Sequence, residues 1–231
     1  MELVKRMSWI ASLLVVLAGT AHADVITDWN EKAAAAHFIL VRLYPDPAKD
    51  FETFYHASRA AIPDGEPKSQ GIQFGEKMAA EMLAWRAKDG ADAPNTYRPF
   101  TAAGTYVPTI LPVASSWGNV TPFALKQGSQ FRPVVPYSLH SAQWAKDYNE
   151  VKTMGAKRGS ARSADQTDIA RFWEFTGPGT YNPIVQQLAA AKKLDMMENA
   201  RLFALVAMAT ADASIAHFDA KVRVQQAYPL N

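Results

Sequence analysis

The sequence predicts an all-α protein, a helical bundle with a long proline-rich irregular arm. Three observations carry that expectation. Apolar residues recur at helical spacing, start and stop residues bracket those stretches, and one late stretch is apolar on every side, as a central helix is.

Ala33 to Tyr44 reads as the first helix, built on an alanine run and stopped by Pro45, because alanine is the strongest helix former and proline cannot continue one. Asp50 to Ala61 reads as a second, short helix closed by the turn Ile62, Pro63, Asp64, Gly65. Ser69 to Lys88 is the clearest helix of this half, with Ile72, Met78, Met82 and Trp85 at helical spacing and Gly90 past its end. Gly71, Gly75 and Ala79 recur at every fourth position, which gives this helix a flat side for the close approach of another.

From Pro94 to Pro136 the chain changes character. Half of the fourteen prolines fall there, interleaved with Tyr97, Phe100, Tyr106, Trp117, Phe123 and Phe131. Proline at that density forbids a long helix or a central strand, and the rings set the segment apart from low-complexity disorder. The reading is an ordered arm that buries its rings against the helical body, as an outer wrap or as a functional lid.

Helices resume at Ser141 to Met154. A basic loop with Lys157, Arg158 and Arg162 follows, read as a solvated loop or an anion-binding one. Ser163 and Gln166 stand at capping-box spacing and open a helix carrying Ile169, Phe172 and Trp173. Gly177, Pro178 and Gly179 end it, and Asn182 with Pro183 starts another running to about Lys193. The last helix begins at Asp195, with Glu198 three residues on, and continues to about Val222, some ~40 Å at the α-helical rise. Its stretch from Leu202 to Ala211 is apolar all round, which predicts a path through the middle of the domain. Near its end Ser214, His217 and Lys221 share one face, with Asp212 and Asp219 on a neighbouring one.

The N-terminus places Lys5 and Arg6 before an apolar run from Trp9 to Ala18 and then Ala21, His22, Ala23, the charged, apolar, A-x-A order of a cleavable signal peptide over residues 1–23. The expected product is a periplasmic or secreted single helical domain, 24–231. The longest later apolar run, Leu202 to Ala209, falls short of a membrane span. A net charge of +2 with scattered basic residues argues against a nucleic-acid partner. No cysteine is present, so stability rests on packing.

Phosphate-binding loops, dinucleotide glycine fingerprints, G-x-S-x-G elbows and H-E-x-x-H motifs are absent from the sequence. His37, His56, His140 and His217 are not spaced as ligands on one helix, so no metal site is expected. Ser214 and His217 are helical neighbours, yet no glycine turn beside them offers an oxyanion hole, and no catalytic residue is assigned. Lys221 is the candidate binding residue, a point charge for an oxyanion at the end of an apolar helix or else a solvated terminal lysine.

The order of several segments carries a family resemblance. The turn Ile62 to Gly65 precedes a helix ending A-W-R-A-K-D-G at Gly90. W-G-N-V-T-P-F follows at Trp117 to Phe123, D-Q-T-D-I-A-R-F-W at Asp165 to Trp173, and E-N-A-R-L-F-A-L at Glu198 to Leu205. In this order they resemble the vanadium-dependent haloperoxidase group of the type 2 phosphatidic acid phosphatase superfamily, over nearly all of the mature chain. The resemblance implies an all-α fold and a vanadate or phosphate pocket built from three motifs. The first is a lysine, six residues and Arg-Pro, the second P-S-G-H, the third S-R followed by a histidine.

Lys221 matches the first lysine, and the Arg-Pro position is taken by Tyr228 and Pro229. Neither later motif occurs before Asn231, so the chain is expected to be a shortened member, with Lys221 the one cofactor-binding residue carried over. Family members also have an extra helical stretch before the Ala33 helix. Two functional readings stay open: an exported haloperoxidase or acid phosphatase, or an inactive helical scaffold or interaction module. Self-association is expected through apolar helix faces left without partners.

Overall fold

The computed structural model describes residues 25–101, 109–110, 112–134, 136–174 and 178–226, with side chains for all of these except 25–29, 178 and 223–226. The expected signal segment 1–23, Tyr106, and the Tyr228 and Pro229 pair lie outside the described residues. Within them the fold is all-α, with seven α-helices and no strand. They are α1 Val25–Leu43, α2 Ala48–Ala60, α3 Glu66–Arg86, α4 Ala142–Met154, α5 Ala164–Phe172, α6 Pro178–Lys192 and α7 Met196–Gln226. Between α3 and α4 stand two 3-10 turns, Trp117–Asn119 and Gly128–Phe131.

The tightest pairing is α1 on α3. The buried face of α3 is Lys68, Gly71, Gly75, Ala79, Met82 and Arg86, so the small-residue stripe is what packs. Gly75 lies so close to α1 that an added β-carbon would fall on the Glu31 backbone. Ala35 and Ile39 of α1 join Ala79 and Met82 in one apolar cluster. This contact also explains why α1 begins well before Ala33. Asn30 and Glu31, polar residues ahead of the alanine run, are buried, and the Glu31 backbone lies on the flat side of α3. Trp85, expected on the apolar stripe, is 58 % exposed.

Lys68 ties α2 to α3. Its ammonium donates to the carbonyls of Arg59 at 3.0 Å and Ile62 at 2.8 Å and to Asp64 Oδ1 at 2.9 Å. Buried ammonium groups need such full satisfaction. The carbonyls are those a helix C-terminus leaves without partners, so the lysine acts as a cap. Its hydrogen bond and charge hold the Asp64 carboxyl below its ordinary value.

A second cluster joins Ala91, Ala114, Trp117 and Val120 to Ile215 of α7, with Phe218 packed against it. Here the structure departs from a segment that only wraps the outside, because Trp117 is 5 % exposed and sits in the core. Phe131 and Tyr137 face solvent.

α7 also differs from expectation. It buries one stripe, Ala200, Ala204, Ala207, Ala211 and Ile215, while Leu205 is 52 % exposed. An all-apolar stretch does not specify how many sides find partners. By length and composition the helix over Met196–Val222 is apolar enough to cross a membrane, although the uninterrupted run Leu202 to Ala209 alone is too short, because charged residues such as Asp212 and Asp219 interrupt the apolar stretch.

The caps are as read. Ser163 and Gln166 form the capping box of α5, and Asp195 and Glu198 exchange the same two bonds at the start of α7, at 2.9 and 2.8 Å. α6 starts at Pro178, leaving Pro183 inside the helix. The sequence reading placed the start at Asn182 and Pro183 and took Pro178 as a stop, whereas the helix begins at Pro178, a first-turn position that proline tolerates. α4 and α5 bury no side chain, leaving Val151, Ile169 and Phe172 largely in solvent.

Candidate functional site

Two acidic residues on one face of α7 organise its surroundings. Asp212 is buried and accepts the backbone N–H groups of Phe123 at 2.6 Å, Ala124 at 2.7 Å and Leu125 at 2.9 Å. A carboxylate with three such donors serves as an anchor, here fixing the loop that leaves Thr121 onto the helix. Two helical turns further, Asp219 is gripped by Arg132, whose Nε reaches Oδ2 and Nη2 reaches Oδ1, both at 2.8 Å. That hydrogen bonding raises the Arg132 pKa above its ordinary value.

The loop is held from the other side by a buried ion pair. Arg86 Nη2 lies 2.7 Å from Asp89 Oδ2 and donates to the Thr121 carbonyl at 2.6 Å, with its guanidinium 4.1 Å above the Phe123 ring. Asp89 in turn accepts the Ala91 N–H at 2.9 Å and, through its carbonyl, the Thr121 N–H at 2.8 Å. The A-W-R-A-K-D-G and W-G-N-V-T-P-F segments therefore meet through Arg86, Asp89 and Thr121.

Between this loop system and the end of α7 lies a cleft of about 580 Å³. Its walls include Tyr97, Arg98 and Phe100 on one side and Phe218, Asp219 and Val222 on the other. Part of its wall is main chain, because Gly118 packs so tightly that an added β-carbon would stand 2.5 Å from the Asp219 Cα and N. Ser115 donates a short hydrogen bond to Asn95 Oδ1, and Asn95 donates to the Pro112 carbonyl at 2.6 Å, which stiffens the rim. Arg98 Nη1 donates to the carbonyls of Asn95 at 3.1 Å and Tyr97 at 2.8 Å.

Lys221, the candidate from sequence, is exposed, with its ammonium 5.9 Å from the centroid of the Phe218 ring and outside the cleft lining. Ser214 and His217 do not form a nucleophile and base: the Ser214 hydroxyl donates to the Thr210 carbonyl at 2.9 Å, and His217 lies edge-on to Phe218. In the basic loop, Arg162 is bonded to the Met154 carbonyl, closing the chain on itself.

Two histidines that looked unrelated in sequence meet through Glu52. His37 Nε2 is 3.2 Å and His56 Nε2 3.3 Å from Glu52 Oε2, and His37 stacks on Tyr55 at 4.1 Å. Burial pushes the Tyr55 phenol above its ordinary value, with Arg59 pulling the other way. Among the described residues no three His, Cys, Asp or Glu side chains converge in a metal-holding arrangement.

Sequence reasoning missed Arg98 and the Arg86–Asp89 pair. The signal for the first was a lone cation inside an aromatic and proline run, Tyr97 to Phe100. For the second it was the three-residue spacing across the end of α3, where the turn after Arg86 brings Asp89 back to it.

No family profile matches the chain, and no curated protein matches it either. Among solved structures, the chain is similar to the one described as the first bacterial vanadium-dependent iodoperoxidase, with a TM-score of 0.72 and 21 % identity. The match covers 97 % of this chain, which spans 64 % of that protein's length. The chain thus has a vanadium haloperoxidase-like fold. Vanadate carries two to three negative charges and calls for several converging donors. At the end of α7 the described residues offer the exposed Lys221, an Arg132 already committed to Asp219, and the Asp219 carboxylate itself. That set does not fit vanadate.

Proposed function

We propose that this protein is an exported member of the vanadium haloperoxidase and acid phosphatase group that, as this chain alone, turns over neither halide nor phosphate ester. The haloperoxidase-like fold supports the family part. The observation that carries the catalytic part is the commitment of the Arg132 guanidinium to Asp219, two residues before Lys221 in α7. Losing one preorganised donor typically costs about 10²- to 10³-fold in rate, and the family's cage is described by the resemblance as needing several.

The test is peroxide-dependent halide oxidation and phosphomonoester hydrolysis on the purified mature protein, with and without added vanadate. No turnover above a buffer control is expected. Turnover that vanishes in Lys221→Ala would restore the enzyme reading.

Export supports a measurement of its own: the protein recovered from an exporting host should begin at Asp24 by mass spectrometry, and a chain beginning at Met1 would count against it. The second reading, an interaction scaffold, is favoured by the solvent-facing Val151, Ile169 and Phe172 of α4 and α5. We expect self-association through these faces, visible as a concentration-dependent sedimentation coefficient.

A further inference from the structure

We propose that the cleft between the 93–100 segment and the end of α7 binds a small aromatic monocarboxylate, with Arg98 as its carboxylate fork.

The size is right. About 580 Å³ falls within the few-hundred to thousand Å³ range of pockets that enclose small organic ligands. The walls are right as well, since Tyr97, Phe100 and Phe218 bring three rings to the lining, with Val222 beside them.

Arg98 decides the ligand's polar end. Its Nη1 is held by the carbonyls of Asn95 and Tyr97, which fixes the guanidinium plane before any ligand arrives. The edge made by Nε and Nη2 is left over, and two parallel N–H donors are the arrangement that a carboxylate accepts bidentately. Among the described residues no carboxylate lies within ion-pair distance of Arg98.

The charge count decides between a monoanion and a polyanion. Asp219 is also in the lining, and its charge is balanced by the two bonds from Arg132. Among the described lining residues Arg98 is the one cation and Asp219 the one anion. A single carboxylate matches the Arg98 fork. The second and third charges of phosphate or vanadate would face the Asp219 carboxylate.

The experiment is calorimetric titration of the mature protein with benzoate, benzyl alcohol, inorganic phosphate and vanadate, each up to about 10 mM. Benzoate should bind, the uncharged alcohol about tenfold or more weakly, and phosphate and vanadate not measurably. Arg98→Gln should weaken benzoate about tenfold or more, and Arg98→Lys should weaken it too, because a point charge lacks the fork. Arg98 is exposed, so circular dichroism should show both variants folded. Phe100→Ala supplies a second variant on the ring side and should also weaken benzoate. Lys221→Ala should leave benzoate binding unchanged, which separates this site from any oxyanion site of the haloperoxidase reading. Benzoate binding that survives Arg98→Gln, equal affinity for benzyl alcohol, binding of phosphate or vanadate in place of benzoate, or no binding at all would each overturn the proposal.

Discussion

The Asp212 carboxylate takes the backbone N–H of Phe123 at 2.6 Å, joining two residues 89 positions apart in the chain, and its second oxygen serves Ala124 and Leu125. Removing this acceptor strands three part-buried backbone donors. Asp212→Ala should cost about 3 kcal/mol, since a bond to a charged group contributes roughly 1.5 to 3 and stranded partners add a desolvation cost. Asp212→Asn keeps one acceptor oxygen and should lose less. Urea denaturation of the three proteins measures the order; an alanine variant as stable as the parent contradicts it.

Gly75→Ala should destabilise by about 3 kcal/mol, the upper end for overpacking, because its β-carbon meets the rigid Glu31 backbone rather than a movable side chain. Gly179→Ala is the control. Nothing lies within 4 Å of its added carbon, and alanine is the better helix former, so thermal melts should show no loss.

Those two glycines show what was legible in the sequence. The stripe of Gly71, Gly75 and Ala79 announced a close helix contact, and α1 makes it. The caps at Ser163 and Asp195 were equally readable, because they depend on residues three apart. Distant partners were not readable. That Leu205 faces solvent, that Trp117 enters the core beside Ile215, and that Arg132 grips Asp219 are set by which elements meet, and a local pattern carries no such information. Arg98 became visible as a cleft residue only once its two carbonyl partners were in place.

Lys193→Gly should stabilise the protein by about 1 kcal/mol. Lys193 ends α6 at φ 53°, a left-handed conformation that costs a side chain but not glycine. The flanking bonds, Lys193 N–H to Ala190 at 3.1 Å and Leu194 N–H to Ala189 at 3.2 Å, need only the main chain and should persist. A lower urea midpoint would show that the lysine side chain contributes something the backbone does not.

Alkaline stability should depend on Tyr55. Burial raises its pKa above 10.0 in the folded state, against the opposing pull of Arg59. The folded chain then holds the phenol proton more tightly than the unfolded one. The associated stability is full below the unfolded value and is lost as pH rises through the folded value. Tyr55→Phe should flatten the fall in urea midpoint between about pH 9 and pH 11. Parallel profiles for the two proteins would assign the alkaline loss to other groups.

The approach of Gly118 to the Asp219 backbone means that one wall of the cleft is polypeptide resting directly on a helix. Side-chain walls change shape by hopping between rotamers, and such hops cost little. A main-chain wall has no rotamers, so it moves only if α7 slides or turns, and Asp212 and Arg132 hold the helix at two points against both motions. The cleft is accordingly fixed where Gly118 meets α7, and accommodation of a ligand's shape is left to side chains such as Tyr97 and Phe100.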